Sequence, residues 1–395
     1  MKRDRPGAAR RYLAVLAGVG GAALAGVAAV NVVVDPFLAF RVVTIKELRG
    51  FRSETLNRTF KAEAVHRGGY DALILGDSTA VTGLSTRHPS WGGATVFNAG
   101  LPAADLLEVA RVFRLALRND RLRRALLLVT PGLFFEPTRL VTDAARSRLS
   151  VDRNPIEYHL DNLFSFYAFS RSVSVVEDWI GGRPALVDES GERVRYPPDG
   201  MGCRERLDYD YRFFSGHYAK GGYDDRLAAL TEIFREARAH GLPLHVVLAP
   251  VHALHLEILA GAAGGNWIGR LRSDLAARVG GPGRGLYWDF TSYEGVVAEP
   301  CGAEAGSGEM RNYWDTVHFR REVGALVLQR VLGGSGGFGA PVTPANLAVH
   351  AARIDRARPR FVRKMRAELA RMRSFADASR LGRPSRTPRR GRNDR

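Results

Sequence analysis

Five short apolar runs constrain this chain more than any other feature. They are Asp71–Gly76, Thr95–Asn98, Ala125–Thr130, Pro243–Pro250 and Leu286–Phe290. Each is too short for a buried helix and apolar enough to be covered on both faces, the mark of a strand inside a parallel sheet. Helical periodicity separates several of them. Leu106, Leu107, Ala110, Phe113 and Leu117 fall on one face of 103–117, and Leu227, Leu230, Ile233, Phe234 and Ala237 on one face of 225–240. Strands alternating with amphipathic helices predict an α/β domain with a five-stranded, doubly wound parallel sheet. A closing helix is expected over Arg320–Val331, and the glycine-rich 333–337 reads as a flexible linker within 333–339.

The chain has 395 residues and a net charge of +17, but that charge is not spread evenly. Residues 1–11 carry five basic and one acidic side chain, and 340–395 carry sixteen and four, which leaves 12–339 near +1. The basic start precedes Tyr12–Val34, a run without a charged residue. Its length at about 1.5 Å per residue spans a bilayer core. Basic residues stay on the cytoplasmic side. The expectation is a single-pass anchor over 12–34 in the cell membrane, with everything after Asp35 outside the cytoplasm. The Ala- and Gly-rich run is also compatible with a cleaved signal peptide.

The remaining segments leave alternatives open. Cys203 and Cys301 could pair in an oxidising compartment or stand as separate free thiols, and neither has a Cys or His neighbour at metal-ligand spacing. The stretch 138–224 is an aromatic-rich insertion between two strands, read as a lid or substrate-binding element or as a local subcore. Over 360–375, Phe361, Met365, Leu369 and Met372 form one stripe of a basic amphipathic helix. That tail could contact a membrane surface or remain solvated, with disorder expected beyond Ser379. Nucleic-acid binding is disfavoured, since no recognised motif accompanies the charge.

Chemistry concentrates in two motifs about 240 residues apart. Gly76-Asp77-Ser78 follows the first strand, so Ser78 stands at the carboxyl end where open α/β sheets bind ligands. Asp315-x-x-His318 precedes the closing helix. Serine needs a base within hydrogen-bond reach; His318 can supply it, with Asp315 fixing its tautomer. Asn98-Ala99-Gly100 ends the second strand on the same rim. Without a side chain, Gly100 can bring its N–H close to a reacting carbonyl, and with the Ser78 N–H it would form an oxyanion hole. Asp77, Asn98 and His252 are expected to line the substrate site. His255, beside His252, is a further candidate, while His66, His88, His159, His217 and His245 read as structural.

These residues resemble the SGNH/GDSL hydrolase superfamily in order and spacing across 70–332. The resemblance implies a flavodoxin-like three-layer α/β/α fold, Ser78 as nucleophile, Gly100 as oxyanion donor and an Asp315–His318 pair completing the triad, with no cofactor. The anchor followed by Asp35-Pro36-Phe37 is similar to the branch that acylates cell-envelope polysaccharides and teichoic acids. That branch implies an esterase or O-acyltransferase, an acylated polysaccharide or acyl donor, and a multi-spanning acyl-transfer partner. One departure stands out: the superfamily's Gly-x-Asn-Asp block after the third strand is replaced here by Thr130-Pro131-Gly132-Leu133. A non-catalytic envelope scaffold, or an anionic-polymer-binding protein retaining the fold, is the competing expectation.

Overall fold

The computed structural model describes residues 6–43, 45–52, 58–135, 146–150, 154–196, 200–219, 221–279, 285–302 and 309–380. Its strands are β1 (Ala72–Leu75), β2 (Val96–Asn98), β3 (Arg124–Val129), β4 (Leu244–Leu248), β5 (Tyr287–Asp289) and β6 (Ala340–Val342). Its helices are α1 (Pro6–Val34), α2 (Arg58–Arg67), α3 (Ser78–Gly83), α4 (Leu106–Ala116), α5 (Pro155–Phe164), α6 (Phe166–Ile180), α7 (Cys203–Tyr218), α8 (Tyr223–Ala239), α9 (Ala253–Ala263), α10 (Trp267–Arg278), α11 (Arg321–Gly333), α12 (Leu347–Lys364) and α13 (Arg366–Arg380). Two units share the chain: a sheet unit of 69–140 with 197–395, and a helical unit of 1–68 with 141–196. The expected insertion therefore divides, its first part folding with the chain's beginning and α7 belonging to the sheet unit.

The sheet unit is mixed α/β, built on one sheet in the order β2-β1-β3-β4-β5-β6. The five expected strands form and run parallel. Apolar runs drive this: Leu73, Ile74, Leu75, Leu126, Leu127, Leu128, Val246 and Val247 are all fully buried. The five-strand expectation falls one short. β6 pairs antiparallel with β5, placing Pro341 opposite Trp288. A proline is tolerated there because an edge strand needs no N–H on its outer side.

The glycine-rich stretch is accordingly a structured approach to β6. Phe338 packs edge-on against Phe290 at 5.1 Å. Gly339, at φ 72°, backs so closely onto that ring that a Cβ would sit 2.4 Å from it.

The basic tail also departs from expectation. The amphipathic pattern at 360–375 is helical, but the helix begins at Leu347 and turns at Met365 into α13. Phe361, Met365, Leu369 and Met372 are buried, with α13 lying on α7. Arg358 forks onto Glu257 at 2.7 and 3.0 Å. His350 reaches Asp289 at 3.0 Å, beside the buried Arg272–Asp289 pair at 2.9 Å. The apolar stripe Phe361, Met365, Leu369 and Met372 is thus covered by the protein itself. The expected disorder beyond Ser379 lies almost wholly outside the described residues.

In the helical unit, 26 residues of α1, Ala9–Val34, are long and apolar enough to cross a membrane. The last turns of α1 are held by protein. Asn31 Nδ2 donates to Leu163 O at 3.0 Å, and the Ser172 hydroxyl donates to Asn31 Oδ1 at 2.9 Å. Val34 packs with Leu48 and Val175. Just beyond, the Asp35 carboxylate accepts the N–H groups of Ala39 and Arg41 at 2.7 Å each, while Phe37 stacks on Tyr167. The Asp35-Pro36-Phe37 motif is therefore a structural turn. Deeper in the unit, Glu63 accepts from Arg148 at 2.5 Å and from the Tyr158 hydroxyl at 3.0 Å. Lys61 donates to Gly191 O at 2.5 Å, and burial pulls its pKa down to about 7 against the opposing charge of Asp188.

Candidate active site

The turn after β1 is set by residue size. Gly76 has φ 145°, and a Cβ on it would lie 2.9 Å from both Ala80 Cβ and Leu128 O. Only glycine fits without displacing β3. Asp77 then caps α3, its Oδ1 accepting the Thr79 N–H at 2.9 Å. Its other oxygen accepts the Thr130 hydroxyl, tying the end of β1 to the end of β3. Ser78 is the first residue of α3, on the carboxyl rim of the sheet.

The distant histidine arrives through a close helix contact. A Cβ on Gly324 of α11 would sit 1.8 Å from Gly83 O of α3, and one on Gly83 would sit 2.0 Å from the Phe319 ring. Two glycines thus let the start of α11 lie directly on α3. Immediately before α11, Tyr313 bridges Phe319 and the Trp314 N–H donates to His318 O at 2.8 Å. This tight loop presents both polar side chains of the second motif. Asp315 Oδ1 accepts the backbone N–H groups of Val317 and His318 at 2.8 and 2.7 Å.

Three side chains then meet. His318 Nδ1 lies 2.6 Å from Asp315 Oδ2, and His318 Nε2 lies 2.7 Å from Ser78 Oγ. With Asp315 ionised, the self-consistent tautomer carries its proton on Nδ1, leaving Nε2 to accept from the serine hydroxyl. Burial opposes charge on both partners. For His318, however, the Asp315 carboxylate outweighs burial and raises the pKa above 6.5. For Asp315 the imidazole and two backbone N–H groups outweigh burial and hold the pKa at about 2. His318 and Asp315 keep 24% and 17% side-chain exposure, so the imidazole is reachable from solvent.

No protein-family model matches the chain, and no curated protein matches it.

A buried polar chain, not anticipated from sequence, supports the loop. The Thr316 N–H donates to Asp210 Oδ2 at 2.8 Å, and Thr316 O accepts the His252 N–H at 2.9 Å. Thr316 Oγ1 lies 3.0 Å from His255 Nδ1, and His255 Nε2 lies 2.5 Å from the Tyr218 hydroxyl. Burial drives the His255 pKa down to about 3, which keeps the ring neutral. Burial, reinforced by the nearby Asp315 charge, lifts Asp210 to about 7. Asp210 in turn helps raise His318. Asp210 and Tyr218 both lie on α7, whose first residue, Cys203, is disulfide-bonded to Cys301. The only sequence trace of Asp210 is an acidic residue among aromatics on a helix, which reads equally well as a surface charge.

The expected oxyanion donors are placed unequally. The Ser78 N–H has no hydrogen-bond partner among the described residues. The Gly100 N–H donates to Asn98 Oδ1 at 3.1 Å, so it would have to share or exchange that bond. A Cβ on Gly100 would lie 3.0 Å from Asp77 O, which explains the glycine. Gly132, in the turn after β3, lies close to Asp77: a Cβ on it would be 3.8 Å from Asp77 Oδ2. Its N–H also has no partner among the described residues.

Three residues expected to line the substrate site have protein partners of their own. Asp77 uses one oxygen to cap α3 and the other to hold the Thr130 hydroxyl. Asn98 is fully buried, with its amide donating to Ala80 O and Leu84 O. His252 is fully buried, caps α9 and hydrogen-bonds to Glu299 O at 2.8 Å. Among the described residues, no group of three His, Cys, Asp or Glu side chains could hold a metal ion.

Proposed function

We propose that the sheet unit is a serine-dependent acyl-ester hydrolase or O-acyltransferase of the SGNH/GDSL type, held at a membrane by α1. The observation that carries this reading is the continuous Ser78–His318–Asp315 hydrogen-bonded chain on the carboxyl rim of a parallel sheet. The order of the five parallel strands, 2-1-3-4-5, supports a flavodoxin-like core. The mechanism follows from the geometry. Ser78 Oγ attacks the ester carbonyl as its proton passes to His318 Nε2, and Asp315 stabilises the imidazolium. Negative charge develops on the carbonyl oxygen, for which the N–H groups of Ser78, Gly132 and Gly100 are the available donors. The tetrahedral adduct collapses, and His318 returns the proton to the leaving alkoxide. Water or a sugar hydroxyl, deprotonated by His318, then takes the acyl group from Ser78.

The Cys203–Cys301 disulfide supports an oxidising compartment for this unit, in accord with basic residues before α1 remaining in the cytoplasm. The substrate reading is an acyl ester, acetyl foremost, of a cell-envelope polysaccharide, with a multi-spanning acyl-transfer protein as the partner that would load the donor. The test is direct. A fluorophosphonate probe should label the native protein at Ser78 and fail on Ser78→Ala. p-Nitrophenyl acetate turnover with and without an oligosaccharide acceptor separates transfer from hydrolysis. Absence of labelling, together with full complementation of a deletion strain by Ser78→Ala, would establish the scaffold alternative.

A further inference from the structure

The helical unit carries an exposed apolar surface that the esterase reading does not use. On α5, Ile156, Leu160 and Phe164 recur every four residues and are 68%, 49% and 41% exposed. On α6, Phe166, Val173 and Ile180 recur every seven residues and are 81%, 37% and 75% exposed. Both spacings hold side chains to one face of a helix. The opposite faces are already occupied: Tyr158 and Asn162 of α5, and Ala168, Ser172 and Val175 of α6, are buried. Two consecutive helices thus pack inward with part of their surface and turn large apolar side chains outward. Contiguous patches of this kind mark contact surfaces, whereas singly scattered residues do not.

We propose that the α5–α6 pair is a membrane-contact element whose apolar stripes sit in the bilayer beside the C-terminal end of α1. This rests on reading α1 as a membrane-spanning helix. Position argues for lipid as the occupant. Asn31, in the last turn of α1, is bonded to Leu163 O of α5 and to the Ser172 hydroxyl of α6. The pair therefore grips α1 where its apolar run ends. The surface of α1 leading to that grip is itself apolar and exposed, with Leu24 at 53% and Val33 at 40%. A bilayer that receives α1 meets the two stripes as the next apolar surface along the helix. Trp179, near the end of α6 and 45% exposed, is the residue type enriched at membrane–water interfaces. Exposed Glu157 and Glu177 border the stripes, so attraction to anionic lipid is not the driving force. The contact is hydrophobic, in the manner of an interfacial helix.

The test uses the full chain in phosphatidylcholine nanodiscs. Among the described residues there is no free cysteine, so Ile156→Cys, Phe166→Cys and Leu24→Cys can each carry a single environment-sensitive fluorophore. Each labelled protein is quenched in turn by nitroxide-bearing lipid chains and by aqueous iodide. All three positions should show several-fold stronger lipid quenching than iodide quenching. If Leu24 is lipid-quenched while positions 156 and 166 are open to iodide, the proposal is overturned and the anchor stands. If Leu24 also escapes lipid quenching, the membrane reading of α1 falls and takes the proposal with it. Protection of 156 and 166 from both quenchers would mean that a protein covers the stripes, which equally overturns the lipid assignment.

Discussion

Replacing Gly324 by alanine tests the packing argument that brings His318 to Ser78. The added Cβ would lie 1.8 Å from Gly83 O and 2.8 Å from Gly83 C, both backbone atoms with no rotamer through which to retreat. Carbon and oxygen come into contact at about 3.3 Å, so α11 must back away from α3 by about 1.5 Å. His318 lies only three residues before α11 and would move with it, stretching a Ser78–His318 bond that is now 2.7 Å. Misplacement by about 1 Å can cost roughly 100-fold in rate. Complete loss of general base contact costs as much as roughly 10,000-fold. The expected fall in kcat/KM for p-nitrophenyl acetate therefore lies between those bounds. Overpacking should add about 1–3 kcal/mol of destabilisation in urea melts. Gly337→Ala is the control, since a Cβ there meets nothing within 4 Å. Should Gly324→Ala turn over ester within a few-fold of the parent, the close helix contact does not position the base and the packing argument is wrong.

Four further outcomes follow from the same geometry. Activity should rise with pH through a midpoint above 6.5, because His318 must be neutral to accept the serine proton and Asp315 raises its pKa; a midpoint below the ordinary imidazole value would contradict the pairing. Asp210→Asn keeps an oxygen for the Thr316 N–H but removes a charge that raises His318, so the midpoint should move to lower pH with the melt little changed; an unmoved pH–rate profile would dissociate Asp210 from the base. Met372→Ala, at a fully buried position of α13, should cost about 2–5 kcal/mol in chemical denaturation; a loss below that range would mean the tail is only loosely applied. Arg272→Met strands the buried Asp289 carboxylate and should cost about 3–5 kcal/mol, and adding Asp289→Asn should recover part of that loss; strictly additive effects would argue that the two are uncoupled.

The legible parts of the chain were those in which a side-chain pattern carries its own explanation. Each parallel strand is an apolar run bounded by a breaker, and the burial of Leu73–Leu75 or Leu126–Val129 is that pattern made solid. Ser78, His318 and Asp315 were legible because a nucleophile, a base and its orienter are sought as a set and the three stood at element ends, where the fold brings them together. Residues whose roles depend on a partner remote in sequence were not legible. The stripe Phe361, Met365, Leu369 and Met372 announces a helix but cannot say whether lipid or α7 covers it. Ala340-Pro341-Val342, three residues at the start of the basic tail, carries no strand signal of its own until β5 supplies the pairing. Asp77, Asn98 and His252 were given to substrate because they flank reactive positions, yet each is consumed by backbone or hydroxyl partners that only the folded chain brings within reach. Asp210 is the converse, since nothing local distinguishes it from a surface carboxylate.

The pairing of β6 with β5 has a practical consequence for anyone shortening this chain. Cut after α11, the protein would retain both motifs but bare the outer side of Tyr287–Asp289, leaving a line of unsatisfied amide and carbonyl groups along an aromatic ribbon. Such a border recruits the strand of another molecule, so a truncated version should clump through edge-to-edge addition. Expression boundaries and fusion joints therefore belong beyond residue 342, and the three-residue ribbon carrying Pro341 acts as the guard against polymerisation.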